Sequence, residues 1–233
     1  MKMMAKLKDT FYWNLVYEDR YQLILEGLKI TLLLSLSAFV LGSLLGVLFC
    51  MAKRSRHGWL RVPVRLFTSL MTKLPPLLML MIFAYMILVQ TGLTPVAIAI
   101  VAFTLKCASH LSDMFVAAVA SVSPGEVEAA RTLGYSKWQA FRQVVLPQAF
   151  RQVLPLYRTQ FVLTMQDTSV VSLLAIQDMT RSVNIITSRT LDPILALVLV
   201  AIVYLLLGSV ITKVAFPSDK IKHFTREEGE KCR

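Results

Sequence analysis

The sequence predicts an all-α polytopic membrane protein with five transmembrane helices and a cytoplasmic pair of short coupling helices. Its 233 residues are 56% hydrophobic and 17% charged, whereas soluble domains average roughly 45–50% apolar and about 25% charged residues. A helix needs about 20 apolar residues to cross a bilayer, so five crossings leave only short connections. We therefore expect residues 1–233 to form a single transmembrane domain, without room for a separate ATPase or receptor domain.

The first predicted span covers residues 28–51 and ends at a basic run that begins with Lys53. It consists largely of Leu, Val, Ser, Ala and Gly, which is typical of a transmembrane helix. Gly42 and Gly46 form a G-x-x-x-G pattern that either lets another helix approach closely or faces lipid. The sequence leaves these two alternatives open.

Four further apolar segments predict the other spans. The second, residues 66–89, contains Pro75-Pro76, and we expect a bend or a fresh helix start there because proline lacks a backbone N–H. The third covers residues 95–122, the fourth residues 148–175 and the fifth residues 193–216. An odd number of spans places the two chain ends on opposite sides of the membrane.

The distribution of Lys and Arg predicts the orientation, because these residues stay preferentially on the cytoplasmic side. The loops after spans one and three and the C-terminal tail carry fifteen of them, against six on the opposite side. We therefore expect the C-terminus in the cytoplasm and the N-terminus outside.

The loop of residues 123–147 has the pattern of two short capped helices. Ser123-Pro124-Gly125-Glu126 predicts a capping box with proline at the first helical position. Gly134 then predicts a helix end, because glycine readily takes the left-handed conformation. Ser136-Lys137-Trp138-Gln139 repeats the capping pattern and predicts a second helix that runs to Val145. On periodicity alone, the segment also fits an amphipathic element on the membrane surface.

The same loop carries a longer motif with fixed spacing. Glu128-Ala129-Ala130, Gly134, Val144 and Leu146-Pro147 resemble the E-A-A-x(3)-G-x(9)-I-x-L-P signature of the membrane permeases of binding-protein-dependent ABC importers. Val144 stands where isoleucine is usual. The resemblance identifies the chain as similar to that family, over roughly residues 23–204.

Two further segments resemble the polar amino-acid branch of this family. They are Gln166-Asp167-Thr168-Ser169-Val170-Val171-Ser172 and Leu146-Pro147-Gln148-Ala149-Phe150-Arg151. Two segments depart from it: Lys73-Leu74-Pro75-Pro76 replaces R-G-T-P, and residues 109–116 replace A-Y-x-A-E-x-x-R, with Asp113 for the acid. These departures leave the identity of the amino acid open.

The resemblance implies a permease subunit in the inner (plasma) membrane of a prokaryote, working with partner chains. These would be two ATP-binding ABC subunits, a second permease chain, identical or homologous, and an extracytoplasmic amino-acid-binding protein. ATP would be used by the partner subunit, and no cofactor is expected in this chain. The residues expected to dock on the ATPase are Glu126, Glu128, Ala129, Ala130, Leu133, Gly134, Lys137, Leu146 and Pro147.

Several charged residues fall inside the predicted spans. Lys106, His110 and Asp113 are spaced four and three apart, so they share one face of span three. A lipid-facing charge at the bilayer centre costs about 2.5–3.5 kcal/mol, so this face is expected to line the bundle interior. The predicted substrate pathway comprises Lys106, His110, Asp113, Arg158, Gln166, Asp167, Thr168 and Ser169. Alternatively, Lys106 or Arg158 pairs with Asp113 or Asp167 to hold neighbouring helices together.

Two other classes of protein compete with this interpretation. In a secondary transporter or channel driven by an ion gradient, Asp113 and Asp167 would be proton or cation sites. A purely structural scaffold would not need a polar face inside its spans. The sequence lacks a nucleophile elbow and ligand spacing around its histidines. We therefore expect no catalytic residues, no enzyme activity and no metal site.

Overall fold

The structure, a computed structural model, describes Trp13, residues 17–88 and residues 91–214. Within these residues every regular element is a helix. In chain order the helices are α1 (Tyr21–Lys53), α2 (Gly58–Lys73), α3 (Pro76–Phe83), α4 (Pro95–Ala120), α5 (Pro124–Thr132), α6 (Lys137–Ala140), α7 (Leu146–Asp167), α8 (Met179–Thr190) and α9 (Pro193–Val214).

Four short 3-10 or π-helical turns in the described residues precede, connect or extend these helices, and the first is the 3-10 turn Tyr17–Asp19 before α1. The π-helical turn Ala84–Leu88 continues α3, and a second, Phe141–Val145, joins α6 to α7. The 3-10 turn Thr168–Leu174 follows α7. It ends at Ala175, whose φ of 58° is left-handed and stops the helix.

Length and composition identify three described helical segments that could cross a membrane: Tyr17–Lys53, Pro95–Ala120 and Pro193–Ile211. A fourth crossing is possible if α2 and α3 form one broken span, because these helices are bent by 117° at their junction. The predicted bend at Pro75-Pro76 is confirmed. The predicted total of five spans stays a prediction, because α7 has the length of a span without the same apolarity.

The boundaries of the predicted spans differ in detail from those of the helices. Span one extends to Tyr21 and Lys53 as α1. The fourth span does not remain α-helical to residue 175, because α7 ends at Asp167 and tightens into the 3-10 turn. The end of the fifth span at Phe216, the N-terminal lysines and the tail residues from Lys220 onwards lie outside the described residues.

Contacts divide the chain into two compact units. The first comprises Met1–Phe39, Leu74–Thr104 and Leu163–Ser209. One hydrophobic core of this unit joins the start of α1 to α8 and α9. The buried residues of this core are Ile24, Met179, Val183, Ile186, Ala196 and Val200.

Polar contacts also hold α8 on α1. Ser182 Oγ donates to the carbonyl oxygen of Leu23 at 2.7 Å, and the backbone N–H of Met179 donates to Thr31 Oγ1 at 3.4 Å. Gly27 makes this approach possible, since a Cβ there would lie 2.6 Å from the carbonyl oxygen of Asp178.

The second unit comprises Val40–Lys73, Leu105–Val162 and Val210–Arg233. Here Gly42 and Gly46 face α4: added Cβ atoms would lie 2.9 Å from Cys107 Cβ and 3.0 Å from Leu111 Cβ, respectively. The G-x-x-x-G pattern therefore packs helix on helix and does not face lipid.

Tyr157 makes a hydrogen bond and a ring contact that accompany this packing in the second unit. Ser43 Oγ and the Tyr157 hydroxyl lie 2.7 Å apart and tie α1 to α7. The Tyr157 ring also stacks on Phe115 of α4, with 6.4 Å between centroids.

Candidate functional site

The loop after α4 forms two short helices at an angle set by Gly134. At the end of α5, the N–H of Tyr135 donates to the carbonyl of Ala130, and that of Gly134 to the carbonyl of Arg131. This is the Schellman pattern of helix termination, which requires a left-handed residue. Gly134 supplies it with a φ of 92°.

The two predicted capping boxes have different outcomes. At α6, Ser136 Oγ accepts from the N–H of Gln139, and Gln139 Oε1 accepts from the N–H of Ser136, so this box forms. The prediction at α5 is wrong, since Ser123 makes no side-chain cap. The Glu126 side chain contacts α7 instead, where its carboxylate accepts a hydrogen bond from Gln148 Nε2.

The sequence predicted that the second short helix ends at Val145, and this prediction is wrong. The helix changes into the π-helical turn and then runs directly into α7 at Leu146. Pro147, which lacks a backbone N–H, directly follows the π-helical turn as the second residue of α7. The short helices are thus joined rigidly to a long helix.

The helix pair buries small residues and exposes large apolar ones. Ala130 and Ala140 are buried beneath it, whereas Leu133 is 79% and Trp138 66% exposed. Single exposed apolar residues are common on protein surfaces. Two large ones on the short, rigid helix pair of α5 and α6 favour a contact with a partner. Among the predicted docking residues, Ala130 is buried, whereas the others are exposed: Glu126, Glu128, Ala129, Leu133, Gly134, Lys137, Leu146 and Pro147.

The predicted pathway residues fall in both units. The second unit contains Lys106, His110, Asp113 and Arg158, and the first contains Gln166, Asp167, Thr168 and Ser169. Their burial also varies within each unit. Lys106 is only 7% exposed and Thr168 is fully buried, whereas His110 is half-buried and Gln166 is exposed.

The ion pair at Asp113 involves a residue that the sequence analysis assigned to a loop. Lys53 Nζ donates to Asp113 Oδ1 at 2.7 Å and to Ser112 Oγ at 2.6 Å. Ser112 Oγ in turn donates to the carbonyl of Ser109 at 2.7 Å. Lys53 is 4% exposed, so the last residue of α1 is part of the packed bundle.

A cleft of about 350 Å³ opens beside this pair. Its wall on α2 is polar, and α1 and α4 supply the remaining residues. The lining residues are Lys53, Arg65, Thr68, Ser69, Thr72, Asp113 and Val116.

Of the residues that line this cleft, Asp113 alone is among the predicted pathway residues. Counting charges by loop placed Lys53 and Arg65 among the orienting residues and gave them no further role. The helical periodicity of residues 58–73 indicates the cleft residues on α2, because residues 65, 68, 69 and 72 follow the i, i+3, i+4, i+7 spacing of one helix face.

Comparison with known proteins decides the family. Residues 38–216 match the family described as "Binding-protein-dependent transport system inner membrane component". The chain belongs to this family. The resemblance drawn from the loop motif is thereby confirmed, and the protein is a multi-pass inner-membrane permease component that works with partner subunits. It is a transport protein and not an enzyme.

Named relatives extend the comparison over most of the chain. The histidine/lysine/arginine/ornithine transport system permease protein HisM of Salmonella typhimurium is 30% identical, over 89% of this chain and 92% of that protein. The glutamate/aspartate import permease protein GltK of Escherichia coli is 34% identical, over 71% and 78%. A probable amino-acid ABC transporter permease, YckA of Bacillus subtilis, is 26% identical, over 84% and 89%.

Solved structures have the same fold. A chain from a crystal structure of an amino acid ABC transporter with histidines superposes with a TM-score of 0.78 at 25% identity, covering 89% of this chain and 94% of that chain. A chain of the inward-facing MetNI methionine ABC transporter gives a TM-score of 0.64 at 20% identity, covering 84% and 97%. The latter likeness concerns the fold alone.

Proposed function

We propose that this chain is the permease subunit that forms the translocation pathway of an ATP-driven amino-acid importer. The observation that carries the proposal is the agreement between the family match and its named relatives, which transport amino acids according to their names. The segments around Leu146 and Gln166 that resemble the polar amino-acid branch support the same substrate class. This proposal replaces the alternative of a transporter or channel driven by an ion gradient.

The short helices α5 and α6 are the proposed docking element for the ATPase. Leu133 and Trp138 offer apolar contacts, and Glu128 and Lys137 offer exposed charges. The π-helical turn Phe141–Val145 connects α6 to α7 without a flexible linker. A displacement of the helix pair is therefore transmitted to the long helix α7. A partner shifts a conformational equilibrium only when it binds the two states differently.

The proposed assembly contains two permease chains, two ATP-binding subunits and an extracytoplasmic amino-acid-binding protein. ATP acts only on the partner subunits, and residues 1–233 supply one transmembrane domain. Five spans are proposed, with α7 as the fourth. The N-terminus then lies outside, and α5 and α6 lie in the cytoplasm, where ATP is available.

Inside the membrane, both groups of pathway residues are proposed to line the route of the amino acid. Arg158 is suited to the α-carboxylate, because a guanidinium can make two parallel hydrogen bonds to it. Carboxylates such as Asp167 suit the α-ammonium. A transported amino acid would thereby exchange its hydration for charged contacts within the bundle.

The test is to purify the chain with its ATPase subunits, reconstitute it and add the binding protein. ATP hydrolysis and uptake are measured with L-histidine, L-lysine, L-arginine, L-ornithine, L-glutamate and L-aspartate. We expect at least one of them to stimulate ATP hydrolysis and to be taken up only when ATP is present. Uptake that follows an ion gradient in the absence of ATP would support the alternative instead.

A further inference from the structure

The cleft beside Lys53 contains groups of both charges within about 350 Å³. Arg65 and Lys53 contribute cations, and Asp113 contributes an anion. The cleft lies wholly in the second unit, and the family signature does not include its residues on α2. It therefore calls for an explanation of its own.

Each member of the ion pair has capacity for a further ligand. An ammonium group has three N–H donors, and Lys53 Nζ donates to two acceptors in the described part of the chain, Ser112 and Asp113. The Asp113 side chain is 57% exposed even though Oδ1 is paired, so its second oxygen can accept from a ligand.

Two threonines of α2 line the cleft, of which Thr68 is buried and Thr72 is half-buried. Thr68 Oγ1 donates to the carbonyl of Arg65, and Thr72 Oγ1 donates to the carbonyl of Ser69, each at 3.2 Å. Since a hydroxyl has a single proton, both oxygens keep lone pairs for a donor. A ligand ammonium group would find acceptors here in addition to Asp113.

We infer that this cleft binds the zwitterionic head of an amino acid, its carboxylate on Lys53 and Arg65 and its α-ammonium on Asp113 and the hydroxyl oxygens. A phosphate would meet repulsion from Asp113, and a metal cation would meet two positive side chains. A zwitterion satisfies both signs at once. Among the described lining residues Val116 alone is apolar, so the amino-acid side chain is not enclosed and binding should tolerate different side chains.

This inference rests on the proposed function and assigns it a site on α1, α2 and α4. Binding there uses the third N–H of Lys53 Nζ and the second oxygen of Asp113, so the contact of Lys53 Nζ with Asp113 Oδ1 at 2.7 Å is kept. Buried Lys53 thus keeps its anion when the ligand binds. The cost of leaving a buried charge unpaired is avoided.

The experiment uses a cysteine at Ser69, a half-buried lining residue, in a background without Cys50, Cys107 and Cys232. The full complex with its ATPase subunits is placed in nanodiscs, and the rate of reaction with a small charged thiol reagent is measured. L-histidine and the other amino acids of the panel should slow the labelling of Ser69→Cys several-fold. Histamine, which lacks the carboxylate, and N-acetylhistidine, which lacks the ammonium, should not protect.

The matched control is Ser55→Cys, also half-buried but outside the cleft, whose labelling should not change. Adding Arg65→Gln to Ser69→Cys should raise the concentration of L-histidine needed for half-protection about tenfold, the factor that corresponds to roughly 1.4 kcal/mol of binding. Arg65 is exposed, so this variant should fold. Equal protection at Ser55, protection by inorganic phosphate or anionic-lipid nanodiscs alone, or no effect of Arg65→Gln would each overturn the inference.

The two proposals fail in different ways. If no amino acid stimulates ATP hydrolysis by the complete transporter, the proposed function fails, and this site fails with it. If an amino acid does stimulate hydrolysis but does not protect Ser69→Cys, only the cleft assignment is wrong.

Discussion

Asp178 is a buried acid with a structural task. Its Oδ1 accepts from the N–H of Arg181 at 2.8 Å and so caps α8. Its Oδ2 has no hydrogen-bond partner in the described part of the chain. Burial raises the pKa of this carboxyl, against the opposing effect of the N–H groups at the helix start. The charged form therefore costs the folded protein free energy.

The sign of this effect predicts how stability depends on pH. Because the folded pKa lies above the ordinary value of 3.8, the contribution of Asp178 is most favourable below that value and is lost as the pH rises through the folded pKa. Asp178→Asn keeps a capping oxygen and removes the charge. We expect its melting temperature at pH 7 to equal or exceed that of the wild type, with a smaller decrease as the pH rises from 4 to 7.

Asp178→Ala is the control, because it removes the cap together with the charge. At every pH its free energy of unfolding should be about 1 kcal/mol below that of Asp178→Asn. Its melting temperature should therefore be lower as well. An Asp178→Asn variant that melts well below the wild type at pH 7 would contradict the argument and would indicate that the carboxylate has a cationic partner.

Contacts of single residues were predictable from the sequence when both partners are close along the chain. The capping box at Ser136 was predictable because both partners lie within four residues of each other. The contact of Lys53 with Asp113 was not, because it joins residues 60 positions apart and depends on how α1 packs against α4. A charged residue at the end of an apolar run gives the same sequence pattern whether its side chain faces water or a neighbouring helix. The pattern therefore predicts the membrane boundary but not the partner of the charge.

The contact of helix α1 with helix α4 depends on glycine. A Cβ on Gly42 would lie 2.9 Å from Cys107 Cβ, closer than two carbon atoms approach. Gly42→Ala should therefore lower the stability of the purified protein by about 1–3 kcal/mol, the usual cost of overpacking. Gly58→Ala is the matched control, since nothing lies within 4 Å of its added Cβ. Equal melting temperatures for the two variants would show that α1 and α4 can move apart freely.

The junction of α5 and α6 gives a second test at this scale. A side chain on Gly134 would have free space around it, so the constraint is its φ of 92° and not a clash. Gly134→Val should weaken co-purification of the ATPase severalfold, because a β-branched residue at positive φ costs on the order of 1–3 kcal/mol and reorients the short helices. Gly134→Asn should retain more binding, because asparagine tolerates positive φ. Membrane insertion of both should be unchanged. Normal ATPase binding by Gly134→Val would reject the docking assignment.

Helices were predictable where the cause is local, and less so where two helices meet. Pro75-Pro76 predicted the break between α2 and α3 because the missing N–H groups act on the chain itself. The continuation of α6 into α7 was missed, because Leu146-Pro147 indicates a stop as readily as a start. The contact of the Glu126 carboxylate with Gln148 was not predictable from a local pattern, because it joins residues 22 positions apart on different helices.

For the whole molecule, composition was enough to predict a membrane protein, and one motif was enough to predict the family. Charge and spacing predicted the pathway residues. They place a residue on one face of a helix but do not show which neighbouring helix packs against that face. The structure therefore separates Lys106 from Asp113 by burial although they lie on one face of α4. It also adds Lys53 and Arg65, which the charge count used only for orientation.

Orientation in the membrane is a property of the whole chain. The excess of Lys and Arg predicts that the loop containing Ser55 faces the cytoplasm. In the cysteine-free background, Ser55→Cys should resist a membrane-impermeant thiol reagent in intact cells and react after the cells are permeabilised. Ser188→Cys on α8, an exposed residue of the loop predicted outside, should react in both conditions. The reverse pattern would place α5 and α6 outside the cell, away from ATP, and would remove the physical basis for docking an ATPase on them.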